Sequence, residues 1–592
     1  MSKDKKPRYE FIDSGSQSGF SRREFIRLAG NASAAAGLGG LLTACGSDSD
    51  DDDSKAGSSS GGFSHGVASG DPQSDSVMLW TRISEATGTA QANWVIATDP
   101  QLSNVVSSGS QSTDANRDYT IKVDATGLQP GTTYYYRFTS GAQQSPVGRT
   151  KTLPVGSVDH LRFAAVSCAS LPHGFFNAYR RIAERPDLDF ILHLGDYVYE
   201  YPGVDPEGEH DYADAVAIAA GRQYSEDNRV EMVSLQDYRR RYQNYRLDPD
   251  LQELHRQYAF INIWDDHELT NDAWKNGAEN HQPDTEGDWA LRNAAARQAY
   301  FEWLPIRPAS TGDNLSIERS FKLGDLADLF MLDTRLVGRD QQPEGTEIPG
   351  VTSIYADMDE ISNPERQILG TDQESRLIAN LQSSTAQWKL IGQQVVFAQW
   401  RLVGLPNLLN LLSPGGQGGV FINVDQWDAY PRARERIWSA IRGGQAAPNV
   451  AIDNVVILTG DVHSSWAEDI TEDPTNLLSY NPLTGDGSMA VEFVCPSVTS
   501  PAEFPDTPVT VPAFLTQNPH IKYGDIQHKG YIVVDITPER CQSEWYFVAD
   551  HLAPSEAEAL ATVYKTDNGA NRNSTGTASM PRENPPPLAP GA

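Results

Sequence analysis

Cysteine, tyrosine, histidine and aspartate fall at the ends of short apolar runs in four places along this chain. The runs are Phe163-Ala-Ala-Val-Ser-Cys168, Phe190-Ile-Leu-His-Leu-Gly-Asp196-Tyr-Val-Tyr199, Phe260-Ile-Asn-Ile-Trp-Asp265-Asp266-His267-Glu268 and Val455-Val-Ile-Leu-Thr-Gly-Asp461-Val-His463. Each reads as a doubly buried strand that gives way to a polar turn. Ligands of open α/β sheets bind in the crevice beyond the carboxyl ends of the strands, where these side chains would project. Thiolate, phenolate and imidazole suit a transition ion, while the surplus of carboxylates suits calcium or magnesium. Asp196 has two oxygens with which to bridge two ions, and the Gly-Asp-x-x-Tyr step returns Tyr199 to the same side of the turn. Two cations held close clamp a tetrahedral anion and acidify a shared water, an arrangement suited to in-line phosphoryl hydrolysis.

Each residue also has a plainer reading. Cys168 alone is a small apolar filler at a strand end, and Tyr199 alone is a packing residue in the Tyr197-Val-Tyr-Glu-Tyr201 stretch. His193 lies inside its strand and reads as a hydrogen-bonded core histidine. His267 and His463 sit at strand ends beside carboxylates, where imidazole serves as acid, base or ligand. Asp265, Asp266 and Asp461 also suit turn capping, and Arg335 also suits pairing with Asp333. The four runs taken together favour a metal centre over these separate explanations.

Gly195-Asp196-Tyr197-Val198-Tyr199 resembles the Gly-Asp-x-x-Tyr element of purple acid phosphatases. Asp266-His267-Glu268 stands where the metallophosphatase superfamily has Asn-His-Glu or Asn-His-Asp, Gly460-Asp461-Val462-His463 stands for Gly-His-x-His, and Cys168 replaces the opening aspartate. With Phe63-Ser-His-Gly-Val-Ala-Ser-Gly-Asp-Pro72 and Leu332-Asp-Thr-Arg335, the set resembles the PhoD-type alkaline phosphatases over roughly residues 63–550. That resemblance implies Fe3+ held by Cys168, Asp196, Tyr199 and His463. It implies Ca2+ held by Asp196, Asp266 and Asp461 with help from Asp265, and a second Ca2+ whose ligands stay unplaced. It makes His267 and Asp266 catalytic candidates, with His267 at the leaving group. Arg335 becomes a phosphate clamp, since guanidinium matches phosphate in a bidentate way, and Asn271 and Trp264 become substrate-binding candidates. The implied activity is alkaline phosphatase or phosphodiesterase. The runner-up is a phospholipase D-like diesterase acting on lipid headgroups, and the contrasting class is a non-catalytic surface lipoprotein.

The amino terminus carries a separate signal. Ser21-Arg22-Arg23-Glu24-Phe25-Ile26 is a twin-arginine motif, and the apolar stretch from Ala29 to Leu42 is too short to span a bilayer as a helix. Leu42-Thr43-Ala44-Cys45 resembles a lipobox, so residues 1–44 are expected to leave as a signal peptide and Cys45 to be lipidated. The expected destination is the periplasm or cell surface through the twin-arginine machinery, with a membrane tether. Conventional cleavage to a soluble periplasmic enzyme is the alternative. Residues 45–62 are Asp-, Ser- and Gly-rich and read as a flexible linker.

The formal charge is −32, and the mature part is more acidic still at about −35 because residues 1–44 are net positive. Such a surface repels nucleic acid and excludes a backbone-binding role. It also repels phosphate esters, so a phosphatase here needs cations to reverse the local sign. Of four cysteines, Cys495 and Cys541 are left as a pair that an oxidising compartment permits and spacing does not prove. Residues 63–155 read as a small all-β, fibronectin III-like sandwich, with Tyr134 as its corner tyrosine. Residues 156–565 alternate strands and helices. The expected class is therefore α/β, a metallophosphatase-type layered β-sandwich flanked by helices and preceded by the small all-β domain. An acidic insert at 203–230 and a loop-rich region at 339–372 break the strand–helix pattern, and a third loop at 404–419 is a candidate to line or cover the site. The Asn/Ser/Pro-rich tail, residues 566–592, is expected to be disordered. A monomer acting on small phosphate esters is the expected working form.

Overall fold

The computed structural model describes residues 62–591 apart from 205–209, 310–314, 344–345, 349–350, 355–357, 403–419, 422, 444–449, 503, 505–506 and 509. The signal, lipobox and linker expectations, and the 404–419 loop, lie outside the described residues.

Two sheets make the frame. The first runs Ser574–Thr575, Glu558–Asp567, Arg540–Val548, Gly530–Ile536, Leu161–Val166, Ile191–His193, Ala259–Asn262, Val67–Gly70, Ser76–Arg82, Thr120–Thr126. The second runs Arg319–Leu323, Ala327–Met331, Trp388–Gly392, Val455–Thr459, Ala490–Val494, Ser465–Ile470, Ile521–Asp525. Leu161–Val166, Ile191–His193 and Ala259–Asn262 are parallel neighbours in the first sheet. Ala327–Met331, Trp388–Gly392, Val455–Thr459 and Ala490–Val494 are parallel in the second. Parallel strands need crossovers. Asn177–Ala183 supplies one, and Leu235–Tyr245 with Pro249–Gln257 supplies the next. These two helices start where sequence says they should: a Ser234/Asp237 capping box opens the first, and Asp248 followed by Pro249 opens the second.

Because both faces of the parallel strands are covered, the strands are continuous apolar runs and not alternating ones. Phe163, Leu192, Ile261, Leu329, Leu390, Leu458, Phe493 and Trp545 belong to one core between the sheets. Trp545 is fully buried, its ring lies 5.7 Å from Phe493, and its Nε1 donates to the Val494 carbonyl at 3.1 Å. Truncating it to alanine is expected to cost about 3–5 kcal/mol. A second core lies behind the second sheet, where the amphipathic helices Gly370–Ser383 and Pro431–Arg442 bury Leu377, Leu381, Ile437 and Ile441.

The amino-terminal strands are not a free-standing module. Val67–Gly70 pairs in parallel with Ala259–Asn262, so half of the small sandwich continues the first sheet. Its other layer is the five-stranded sheet of Ala90–Ala97, Val105–Thr113, Thr133–Ser140, Gln143–Gln144 and Gly148–Lys151. Tyr134 is buried there and its hydroxyl accepts the Gln129 N–H at 2.7 Å, the bond a corner tyrosine makes.

One expectation is corrected, and one pairing that the sequence left open is answered. The carboxyl-terminal stretch is ordered through the described residues: Ser574–Thr575 pairs with Glu558–Asp567, Arg582 binds Asp189, Tyr135 donates to the Pro587 carbonyl, and Ala589 bonds Gln257. Its prolines lower the entropy lost on ordering, and side chains of both units satisfy its backbone. Composition alone hid this, because the partners lie hundreds of residues away. Cys495 and Cys541 are both free and buried, not paired. Cys495 Sγ instead lies 3.3 Å from Ser167 Oγ, beside the site.

Candidate metal centre

The four strand ends converge. Cys168 follows Leu161–Val166, Asp196 follows Ile191–His193, Asp265–His267 follow Ala259–Asn262, and Asp461 with His463 follow Val455–Thr459. The turns are strained where the ligand-type residues sit. Cys168, Asp196, Asp461, His463 and also Asp272 have φ between +53° and +64°, a region that costs a non-glycine residue on the order of 1–2 kcal/mol. Such outliers persist only where neighbours hold them. Here Cys168 N–H donates to the Gly195 carbonyl, Ala169 N–H to the Asp196 carbonyl, and Ser500 Oγ to the Cys168 carbonyl at 2.9 Å. The glycines before two of the aspartates are required. A Cβ on Gly195, at φ +104°, would lie 2.4 Å from Asp265 Cβ, and one on Gly460 would lie 2.8 Å from Ser167 Cβ.

Donor atoms of Cys168, Asp196 and His463 lie within 4.8 Å of one another. The Tyr199 hydroxyl joins them, donating to Asp196 Oδ2 at 2.9 Å and lying 3.2 Å from His463 Nε2. His463 Nδ1 is 2.7 Å from the Pro501 carbonyl, which accepts the Nδ1–H and leaves the Nε2 lone pair facing the group. Asp265, Asp266 and Asp461 form a second cluster, and Asp196 with Asp266 and His267 links the two. A further cluster, Asp266 with Asp272 and Asp425, adjoins it. Asp425 and Asp272 were missed by sequence reasoning, although Val420-Phe-Ile-Asn-Val-Asp425 is an apolar run ending in a carboxylate like the other four and was the signal that could have found Asp425.

The donors fit cations. Among the described residues, Asp196 Oδ1 and Asp265 Oδ2 are buried oxygens that receive no hydrogen bond, which a folded protein rarely tolerates without an ion or water. Burial, then Asp196, pushes the Cys168 thiol well above its usual range, and the same two causes raise the Tyr199 phenol. Burial raises Asp265 strongly even against Arg335. Those protons are the ones a bound cation displaces.

His267 has a different setting. Burial acts to lower its pKa, but Glu200, Asp266 and Asp196 outweigh this and raise it well above the usual value. Its Nδ1 is 2.7 Å from Glu200 Oε2, and Glu200 is fixed by Asn271 N–H at 2.8 Å and Asn280 Nδ2 at 3.1 Å. The ring packs 4.2 Å from that of Tyr199 and 6.0 Å from that of Tyr212, so Tyr212 of the 203–230 insert walls the site, a role the sequence reading did not give that insert. Glu268 is another structural anchor. Its carboxylate accepts Asp196, Tyr197 and Asp265 N–H at 3.0, 2.6 and 2.7 Å and so locks two ligand turns together. It stood in the Asp-Asp-His-Glu run without an assigned task.

Three assignments change. Arg335 does not face a substrate: it is fully buried and its guanidinium is spent on Asp265, Asp425 and Asp461. It does not pair with Asp333 through its side chain either, since Asp333 Oδ1 takes the Arg335 backbone N–H. Trp264 is a core residue, 1% exposed, with its ring 5.3 Å from Tyr300. Asn271 belongs to the frame behind His267, its side-chain amide donating to Glu279 at 3.2 Å. His193 is the core histidine expected, 3.0 Å from the Tyr179 hydroxyl.

Known proteins share this plan. Residues 163–545 match the PhoD-like phosphatase profile, and residues 48–154 match the PhoD-like phosphatase N-terminal domain. Alkaline phosphatase D of Bacillus subtilis (strain 168) is 34% identical over 575 residues, covering 94% of this chain and 90% of that protein. A solved structure of PhoD superposes with a TM-score of 0.73 at 32% identity, over 88% of this chain and 93% of that one. The protein is a phosphoester hydrolase, and its chain belongs to the PhoD-like phosphatase family.

Proposed function

We propose that this hydrolase is an exported, metal-dependent phosphoesterase of the alkaline phosphatase type. Cys168, Asp196, Tyr199 and His463 would hold a ferric ion, a donor set of thiolate, phenolate, imidazole and carboxylate that suits a transition metal. Asp265, Asp266 and Asp461 would hold calcium, with Asp196 shared between the two sites, and Asp266, Asp272 and Asp425 would hold a second calcium. The sharing of Asp196 and Asp266 among neighbouring clusters is the observation that carries this reading. Bound together, such cations supply an acidified water and neutralise phosphoryl oxygens.

The chain supplies the rest. Glu268 keeps the Asp196 and Asp265 turns in register. Glu200 orients His267 through Nδ1, so that Nε2 carries a proton toward Asp196 and Asp266, where a leaving oxygen would need one. Tyr199 and Tyr212 wall that side of His267. The twin-arginine motif at Arg22–Arg23 and lipidation of Cys45 would place the enzyme outside the cytoplasm on a membrane tether.

Hydrolysis of an aryl phosphomonoester and an aryl phosphodiester, side by side at alkaline pH with calcium and with chelator, tests the reading. Chelator-sensitive turnover with the monoester faster is expected. Turnover indifferent to chelation would refute metal dependence, and a faster diester would move the assignment to a phosphodiesterase. Mass analysis of the exported protein checks Cys45: a diacylglyceryl adduct on a chain beginning at Cys45 is expected, and an unmodified cysteine refutes the tether.

A further inference from the structure

Arg335 occupies an unusual position for a cation in a metal-binding fold. It has no exposed surface, and its side chain reaches four carboxylates. Nε lies 2.5 Å from Asp265 Oδ1, Nη1 lies 2.8 and 2.7 Å from the two Asp425 oxygens, and Nη2 lies 2.9 Å from Asp461 Oδ1 and 3.6 Å from Asp266 Oδ1. These residues span both acidic clusters, so one guanidinium fork knits together two groups of like charge. The fork is aimed from behind. Asp333 Oδ1 takes the N–H groups of Arg335 and Leu336 at 2.9 and 2.8 Å, and Thr334 Oγ1 is tied to Gln394 at 2.7 Å.

We propose that Arg335 is a resident counter-cation of the carboxylate cage, a positioning residue that carries part of the charge a divalent ion supplies and so lets the cage assemble in the metal-free protein. The inference rests on the reading of these aspartates as calcium ligands. Arg335 does not need to leave for an ion to enter. It uses Asp265 Oδ1 and leaves Oδ2 without a hydrogen bond among the described residues. Both oxygens of Asp425 are held by Arg335 and those of Asp461 by Arg335 and by Gln426 Nε2 at 2.6 Å, and a carboxylate oxygen that accepts one hydrogen bond keeps a second lone pair for an ion. The arginine and the ion therefore share carboxylates, and each does more when the other is absent. A lysine has no fork and cannot span the same three partners.

Thermal unfolding of metal-stripped, purified full-length protein, with and without added calcium chloride, tests this in wild type, R335M, R335K, D425N and the R335M/D425N pair. Metal-free R335M should melt roughly 5–10 °C below wild type, because buried carboxylates lose their partner. Calcium should then raise the melting temperature of R335M by more than it raises that of wild type. Removing one negative charge with D425N should recover part of the metal-free loss in R335M, although Asp425→Asn alone is destabilising. R335K should fall between wild type and R335M in both quantities, and it carries the test if R335M is not recovered folded. A calcium-induced rise in the arginine variants equal to or smaller than that of wild type overturns the inference, as does a double variant no more stable than R335M. A wild-type protein whose melting calcium does not move overturns the calcium reading itself and this inference with it.

Discussion

Gly195→Ala puts the site geometry to its sharpest test. Gly195 sits between two ligand turns at φ +104°, and the Cβ added there would lie 2.4 Å from Asp265 Cβ and 2.8 Å from Asp265 N. Non-bonded carbons rest at about 3.5–4.0 Å, so relief needs a displacement of roughly 1 Å. The displacement cannot be absorbed quietly, because Glu268 Oε2 holds the N–H groups of both Asp196 and Asp265. The positive φ contributes about 1–2 kcal/mol and the overpacking about 1–3 kcal/mol, for a loss of roughly 2–5 kcal/mol. A ligand moved by 1 Å is expected to lower turnover about 100-fold. Gly127 is the control. It has φ +78° but nothing within 4 Å of its added Cβ, so Gly127→Ala should cost only the backbone term of about 1–2 kcal/mol and leave turnover unchanged. The assays are thermal unfolding and initial rates on an aryl phosphomonoester with saturating metals. If Gly195→Ala keeps turnover within about twofold of wild type and melts no lower than Gly127→Ala, the tight packing of the two ligand turns is not what positions the site.

Calcium binding should release protons near neutral pH. In the metal-free protein burial raises Asp265, and burial with Asp196 raises Glu268 to about 8, so stability gained from their protonated forms is lost as pH rises from about 4.5 through 8. Titration calorimetry at pH 7 in buffers of different ionisation enthalpy reads the release directly, and identical heats in all buffers would contradict it. Ferric ion on Tyr199 and Cys168 should give a charge-transfer colour, which Tyr199→Phe and Cys168→Ser should each shift or abolish; an unchanged spectrum in both removes these two from the ligand set. Glu200→Gln should lower turnover about 10- to 100-fold by releasing His267 from its orienting partner and should move the alkaline limb of the pH–rate profile to lower pH. An unmoved limb would mean that Glu200 does not set the His267 proton.

The ligand turns were legible because a doubly buried parallel strand writes itself as a plain apolar run, and a carboxylate, imidazole or thiol just after it has little structural reason to be there. Gly195 and Gly460 add the same message, since the close approach of Asp265 and Ser167 excludes any side chain. What stayed hidden acts through tertiary contact. Asp425 ends an apolar run of its own, Val420-Phe-Ile-Asn-Val-Asp425, but only the fold shows that its carboxylate meets Arg335 across 90 residues. Arg335 looked like a phosphate clamp from its type alone, and only burial shows that its fork is already committed. Trp264 was misread for a related reason: it stands next to Asp265 in sequence, two residues past the strand Ala259–Asn262, but its side chain is buried in the core against Tyr300. The ordered carboxyl terminus was invisible because its anchors, Asp189, Tyr135 and Gln257, belong to other parts of the chain.

Three buried ionisable residues outside the expected ligand set, Arg335, Glu268 and Glu200, would let such a site hold its shape before ions bind. Four buried aspartates within a few ångströms would repel one another strongly in a low-dielectric interior. Arg335 answers that repulsion from one side. Glu268 keeps its proton up to about pH 8 in the metal-free protein, and it satisfies three backbone N–H groups of the ligand turns and so fixes the left-handed conformation that Asp196 needs. Glu200 places a charge partner on His267. Repulsion inside the cage and rigidity around it are therefore separate properties of separate residues. A cation then finds its ligands already placed and pays little reorganisation to bind, which is the condition an enzyme needs if it is to be folded before it crosses a membrane.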